Sequence, residues 1–204
     1  MLNKFASFLL LLLVGCASVE PLPPLEIIDS IEEPDVEQVL TEELQQQYRQ
    51  GLQLLQQEAY ARALTHWQAL AQDYPDYPGI WVNLAISQYQ QRQWSESWLS
   101  LERAEGIDAE FCPIHAVKGL LARQRGQFQQ ALERYQAALA CNPNDLVSHK
   151  NVAILYDLYQ QDLAQALHHY RIVQAQQSET DDQLSMWISD LERRQAQHLA
   201  SEGK

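Results

Sequence analysis

The chain has 204 residues, 46% of them hydrophobic and 20% charged, which is enough for one folded unit with a modest core. A formal net charge of −13 works against phosphate-rich partners and argues against nucleic-acid binding. With only 7 Gly, and with Gln, Ala and Leu abundant, the composition favours an all-α chain.

The first segment reads as targeting rather than fold. Lys4 precedes an apolar run from Phe8 to Val14, too short to span a bilayer and suited to the core of a signal peptide. The run ends in Leu13-Val14-Gly15-Cys16. This resembles the bacterial lipobox, in which cleavage before the Cys leaves it as the lipidated first residue. The resemblance implies a signal peptide over 1–15 and lipidation at Cys16. Ala17 is not the Asp that resembles inner-membrane retention. The implied location is therefore the periplasmic face of the outer membrane, with acyl chains as the anchor.

Residues 16–40 then form an acidic, Pro-rich tether. It holds Pro21, Pro23, Pro24 and Pro34, and seven acidic residues with no basic one. Such a stretch is stiffened by Pro and extended by self-repulsion, and the expectation is disorder. A solvated tether is one reading. The patch Leu25-Glu26-Ile27-Ile28 is also apolar enough to dock on the body.

Thr41 is a candidate N-cap with Glu42 and Glu43 in the first turn. From there residues recur at a period of 34. Gly51, Ala85, Gly119 and Ala153 stand at one offset, and Ala63, Ser97, Ala131 and Ala166 at another. Trp67, Leu101, Tyr135 and Tyr170 form a third, large set, and Pro75 and Pro143 a fourth. The fourth copy matches if one residue is inserted between Tyr159 and Leu163. A period in this range means stacked repeats, each burying the face its neighbour leaves open. Small positions let paired helices approach, and large ones fill the space between them.

On these residues the chain resembles the tetratricopeptide repeat family. The resemblance implies four helix-turn-helix repeats (44–77, 78–111, 112–145 and 146–180) within a body of 41–180, wound into a right-handed superhelical solenoid. Residues 181–200 form a capping helix, with Leu184, Trp187, Ile188 and Leu191 on one stripe. Ser178 or Thr180 is the expected cap, with Asp181 and Asp182 as helix-start acids.

The resemblance also implies a concave groove that binds protein. Its lining would be Tyr48, Leu52, Leu55, Val82, Asn83, Ile86, Tyr89, Ala116, Leu120, Arg123, Lys150, Asn151, Ile154 and Leu158. Asn83 and Asn151 match a position where family members hold a peptide backbone, and equally a helix-packing Asn. The cations do not reproduce the carboxylate-clamp set, so an apolar extended or helical segment is expected. Lipid-anchored members act as pilotins for secretins of pilus or secretion machines. Others are adaptors for peptidoglycan hydrolases or proteases, or assembly factors for outer-membrane proteins. The expected partner is thus a secretin or pilus component, or a cell-wall enzyme.

Cys112 opens the third repeat and Cys141 closes its second helix, so an antiparallel hairpin brings them to one edge. In an oxidising compartment the pair can bond; otherwise they are two small apolar side chains. No G-x-S-x-G elbow, Gly-rich phosphate loop or H-E-x-x-H stands in the chain. The six His show no ligand spacing on a shared helix face. The expectation is no catalytic residue, metal, cofactor or small-molecule substrate.

Overall fold

A computed structural model describes residues 41–177 and 181–202. The signal peptide, Cys16, the acidic segment, Ser178 and Thr180 lie outside the described residues. Nine α-helices are present among those described: α1 (Glu42–Gln56), α2 (Tyr60–Asp73), α3 (Pro78–Gln90), α4 (Trp94–Ile107), α5 (Pro113–Gln124), α6 (Phe128–Cys141), α7 (Leu146–Leu155), α8 (Leu163–Gln176) and α9 (Asp182–Glu202). They stack as four hairpins and a final helix. Each hairpin packs against the next, and α9 packs against α8.

The starts follow local chemistry. Thr41 Oγ1 accepts the Leu44 N–H at 3.2 Å, as a Ser/Thr N-cap does. α3 and α5 start with Pro78 and Pro113, whose missing N–H costs nothing at a first helical position. Asp145 and Asp162 cap α7 and α8. Asp181 caps α9, its Oδ1 accepting the Leu184 N–H at 2.9 Å, so the aspartate placed in the first turn is the cap itself.

The turns inside the hairpins are one device used repeatedly. Glu58, Arg92 and Gly126, one period apart, hold φ of 55°, 59° and 73°. Across each, the following N–H reaches the carbonyl five residues back: Ala59 to Leu54, Gln93 to Gln88 and Gln127 to Ala122, all at 2.9 Å. This is the left-handed helix stop in which Gly is at ease and a side chain is strained. Only Gly126 has the favoured residue. Arg92→Gly is therefore expected to raise stability by about 0.5–1 kcal/mol, and Gly126→Ala to lower it by a similar amount. Paired urea melts check both signs.

The fourth hairpin carries the inserted residue, and the structure shows where it goes. α7 runs into one π-helical turn, Tyr156–Gln160, and Gln161 takes the left-handed conformation at φ 55°. The Asp162 N–H then bonds the Tyr156 carbonyl at 3.0 Å, one residue wider than its three counterparts. A π turn is how a helix absorbs a single extra residue without losing its register.

Two apolar clusters form the core. The larger runs from Leu44 to Leu155 through the first three hairpins, and the smaller joins α7, α8 and α9 through Ile154, Leu167, Tyr170, Leu184, Ile188 and Leu191. Small and large positions meet as the spacing requires. A Cβ on Gly51 would lie 2.3 Å from the Trp67 ring, and one on Gly119 2.7 Å from Tyr135. Where the large partner is Leu101, the small one is Ala85, and Ser97 fits there too, its hydroxyl donating to the Ala85 carbonyl at 2.8 Å.

Cys112 and Cys141 are joined by a disulfide with Cα atoms 5.8 Å apart. It ties the start of α5 to the end of α6, within the ordinary span of such a bond.

Candidate functional site

The first helices of the hairpins, α1, α3, α5 and α7, carry the residues expected to line a groove. They are held by polar contacts that cross from hairpin to hairpin. Asn83 Nδ2 donates to the Tyr48 hydroxyl and to the Gly79 carbonyl, both at 2.8 Å. That leaves Asn83 Oδ1 buried without a partner. Burial pushes the Tyr48 phenol up to about 12, with the Asn83 bond working against the shift. Further along, Arg123 Nη1 donates to Asn151 Oδ1 at 2.5 Å, and Asn151 Nδ2 donates to the Val147 carbonyl at 2.9 Å. Both Asn side chains thus clip their own helix one turn back, while each also meets a residue of the preceding hairpin.

The apolar positions sit deeper than a solvent-facing lining. Leu55, Val82, Ile86, Tyr89, Ala116 and Leu120 are all buried, Val82 to 1% exposure and Ile86 to 4%. Tyr89 packs its ring edge against Trp94, with centroids 5.0 Å apart, and its hydroxyl is buried without a partner. Burial raises that phenol to about 12, and the nearby Arg123 charge opposes it. Leu52 is half-buried and Leu158, past the end of α7, is 63% exposed.

Two positions serve the joint with the last helix. Ile154 belongs to the apolar cluster shared with α8 and α9, and the Lys150 ammonium lies 5.9 Å from the Trp187 ring. The same joint carries a further tie. Arg194 of α9 donates to Asp157 in the π turn at 2.6 Å. Asp157 is a residue that sequence reasoning did not single out.

Two histidines take a structural role set by the repeat. Trp81, His115 and His149 stand one period apart. Trp81 Nε1 donates to the Pro75 carbonyl at 2.8 Å, and His149 Nε2 lies 2.9 Å from the Pro143 carbonyl. The ring N–H closes the connection from one hairpin to the next in both places. Between them Ala109 replaces the Pro, and His115 Nδ1 is buried without a partner. The period alone could have disclosed this role.

With Nε2–H of His149 committed to Pro143, its bare Nδ1 accepts from His169 Nδ1–H at 2.7 Å. Burial first, then the neighbouring His149 and His168, pulls His169 down to about 4. A base held neutral by the fold contributes stability above its unfolded value near 6.5, and that stability is lost as pH falls toward 4. The loss is on the order of 2 kcal/mol after allowance for the solvent the ring retains. Urea midpoints measured from pH 7 to 4.5 should fall accordingly, and His169→Gln should flatten the slope.

Among the described residues no cluster of three or more His, Cys, Asp or Glu could hold a metal ion. None of the described helices is long and apolar enough to cross a membrane.

No protein-family model and no curated protein matches the sequence. The architecture does match solved structures. A thermophilic tetratricopeptide repeat protein of Thermus thermophilus, TTC0263, superposes with a TM-score of 0.60 at 22% identity, over 71% of this chain and 79% of that one. This is the tetratricopeptide repeat fold. PilF of Pseudomonas aeruginosa is similar at a TM-score of 0.63 and 14% identity, covering 78% of this chain and 72% of its own. YrrB, described as a tetratricopeptide repeat protein with an unusual peptide-binding site, matches at 0.52 and 17% identity, covering 71% and 73%. These likenesses lie in the stacked helical hairpins of the tetratricopeptide repeat fold.

Proposed function

We propose that this protein is a lipid-anchored adaptor that binds one protein partner on the concave face of its repeats. The observation that carries the reading is the stack of four hairpins whose first helices keep Leu52, Arg123 and Lys150 only half-buried. Apolar and cationic positions of this kind suit an extended or helical peptide segment.

Cys16 is the anchor in this reading, and the periplasmic face of the outer membrane is the location. The partner is a secretin or pilus component that the adaptor escorts. A fold shared with PilF supports that choice in general shape. The second reading, an adaptor for a peptidoglycan hydrolase or protease or a factor in outer-membrane protein assembly, keeps the same surface. No catalytic role is assigned to any residue.

The test uses a photo-reactive residue at Leu52, half-buried on α1, in cells, with mass spectrometry of the adduct. A secretin or pilus subunit is the expected product. A cell-wall enzyme or an outer-membrane protein would move the reading to its alternative. Adducts formed only from Leu99, 62% exposed on α4, would place recognition on the outer helices and overturn it. The anchor has its own check, because Cys16→Ser should release the protein from the membrane fraction.

A further inference from the structure

The connections between hairpins form one edge of the stack, where each second helix ends and the next first helix begins. Between the first and second hairpins this edge carries Tyr74, Pro75, Tyr77 and Pro78, all half-buried. Tyr74 and Tyr77 meet edge to face with ring centroids 6.3 Å apart, and Trp81 Nε1 pins the Pro75 carbonyl at 2.8 Å. Between the second and third hairpins stands Phe111, half-buried and one period after Tyr77. It packs on the first turn of α3, because a Cβ on Gly79 would lie 3.6 Å from its ring. The edge thus shows water a row of aromatic rings on backbone that Pro makes rigid. Acids border the row. Asp73, Asp76, Asp108 and Glu110 are exposed, and none forms an ion pair with a described residue. The stretches 72–79 and 106–113 contain no Lys or Arg.

We propose that this edge is a docking site for a basic, proline-rich segment of a partner protein, bound as a polyproline II helix. Three observations select that occupant. The first is the lining, since polyproline II ligands dock on closely set aromatic rings. The second is spacing. A polyproline II helix repeats every three residues, about 9 Å. The first helices of adjacent hairpins touch, α3 with α5, which sets their axes about 8–10 Å apart. Tyr77 and Phe111 hold the same place on successive hairpins, so prolines three residues apart meet one ring and then the other. The third is charge. Exposed carboxylates, with no Lys or Arg in either connection, favour cations in the segment and repel an acidic one. A polyproline II segment is already extended when free, so little ordering cost opposes docking. The site lies where the first helices begin, whereas Leu52 and Arg123 lie near the far ends of α1 and α5. It therefore does not depend on the adaptor reading of the inner helices.

The test is fluorescence anisotropy with the purified full chain and three labelled peptides. One repeats Lys-Pro-Pro. The second replaces every Pro by Ala at the same charge, and the third replaces every Lys by Glu. The first peptide is expected to bind, and the other two to bind about tenfold more weakly or worse. Asp76→Lys/Glu110→Lys, altered at exposed positions, should weaken the first peptide by about tenfold or more and leave the circular dichroism unchanged. Tyr77→Ser should weaken it too, by removing a ring; should that variant fail to fold, the charge-reversed one still decides. Equal binding of the Ala peptide would reduce the effect to charge and overturn the proposal. So would no binding of the Lys-Pro-Pro peptide, or binding unchanged in the charge-reversed variant. Sedimentation of the chain alone adds one more outcome. Self-association that the charge reversal abolishes would give the edge to a second copy and overturn the proposal as well.

Discussion

Trp67→Ala is expected to lower the free energy of unfolding by about 3–5 kcal/mol. Trp67 is fully buried at the centre of the first hairpin, with Tyr48 edge-on at 5.0 Å and His66 at 5.6 Å. Gly51 exists to admit it, since a Cβ there would sit 2.3 Å from the ring. Removing the indole leaves a cavity that two rigid helices cannot close. The mechanism is separable from simple loss of a large residue. Gly51→Ala alone should also be costly, because a packed aromatic ring has nowhere to go. In a Trp67→Leu background the same Gly51→Ala change should be tolerated or favourable, since Ala85 and Leu101 form that pair one repeat later. Urea unfolding of the four proteins gives the coupling directly. Additive costs would show that the ring does not dictate the glycine.

Reduction of the Cys112–Cys141 disulfide is the second large effect expected, about 3–4 kcal/mol on the chain-entropy account for a loop of 29 residues. The bond closes a whole hairpin, so the reduced unfolded chain gains the freedom of all of α5 and α6. Those helices have native contacts of their own on either side, and helicity at low denaturant should hardly change. The measurement is a pair of urea curves, with and without reductant, with Cys112→Ala/Cys141→Ala as control. A reductant-insensitive midpoint in the native chain, with two titratable thiols, would mean that the pair is not bonded in the protein.

Much of the fold was legible because a repeat states its pattern several times. The helices fall where Gly51, Trp67 and their successors put them, and the spacing located the insertion between Tyr159 and Leu163. It could not show that a π turn would take it up, because that choice depends on how α7 continues toward α9. The candidate site was less legible. Its positions could be named from the repeat offset, but how far they are buried depends on what packs across from them, and no single offset records that. Tyr48 and Asn83 illustrate this. They are 35 residues apart in the chain, and each has an unremarkable helical setting. Only the approach of α1 to α3 shows that one completes the other and leaves an acceptor over. The ring N–H of Trp81 and His149 was missed for a different reason. An indole and an imidazole hold the equivalent carbonyl here, a likeness that their different residue types conceal.

The bond between Cys112 and Cys141 has a mechanical consequence. A stack of hairpins held at its two ends bears load along its length. Pulled from its ends, the chain would give up its first two hairpins and its last one, but the stretch enclosed by the disulfide would yield no contour. At about 3.5 Å per extended residue, the 29 residues it spans withhold roughly 100 Å of extension. The third hairpin would thus act as a stop that limits how far force can lengthen the molecule.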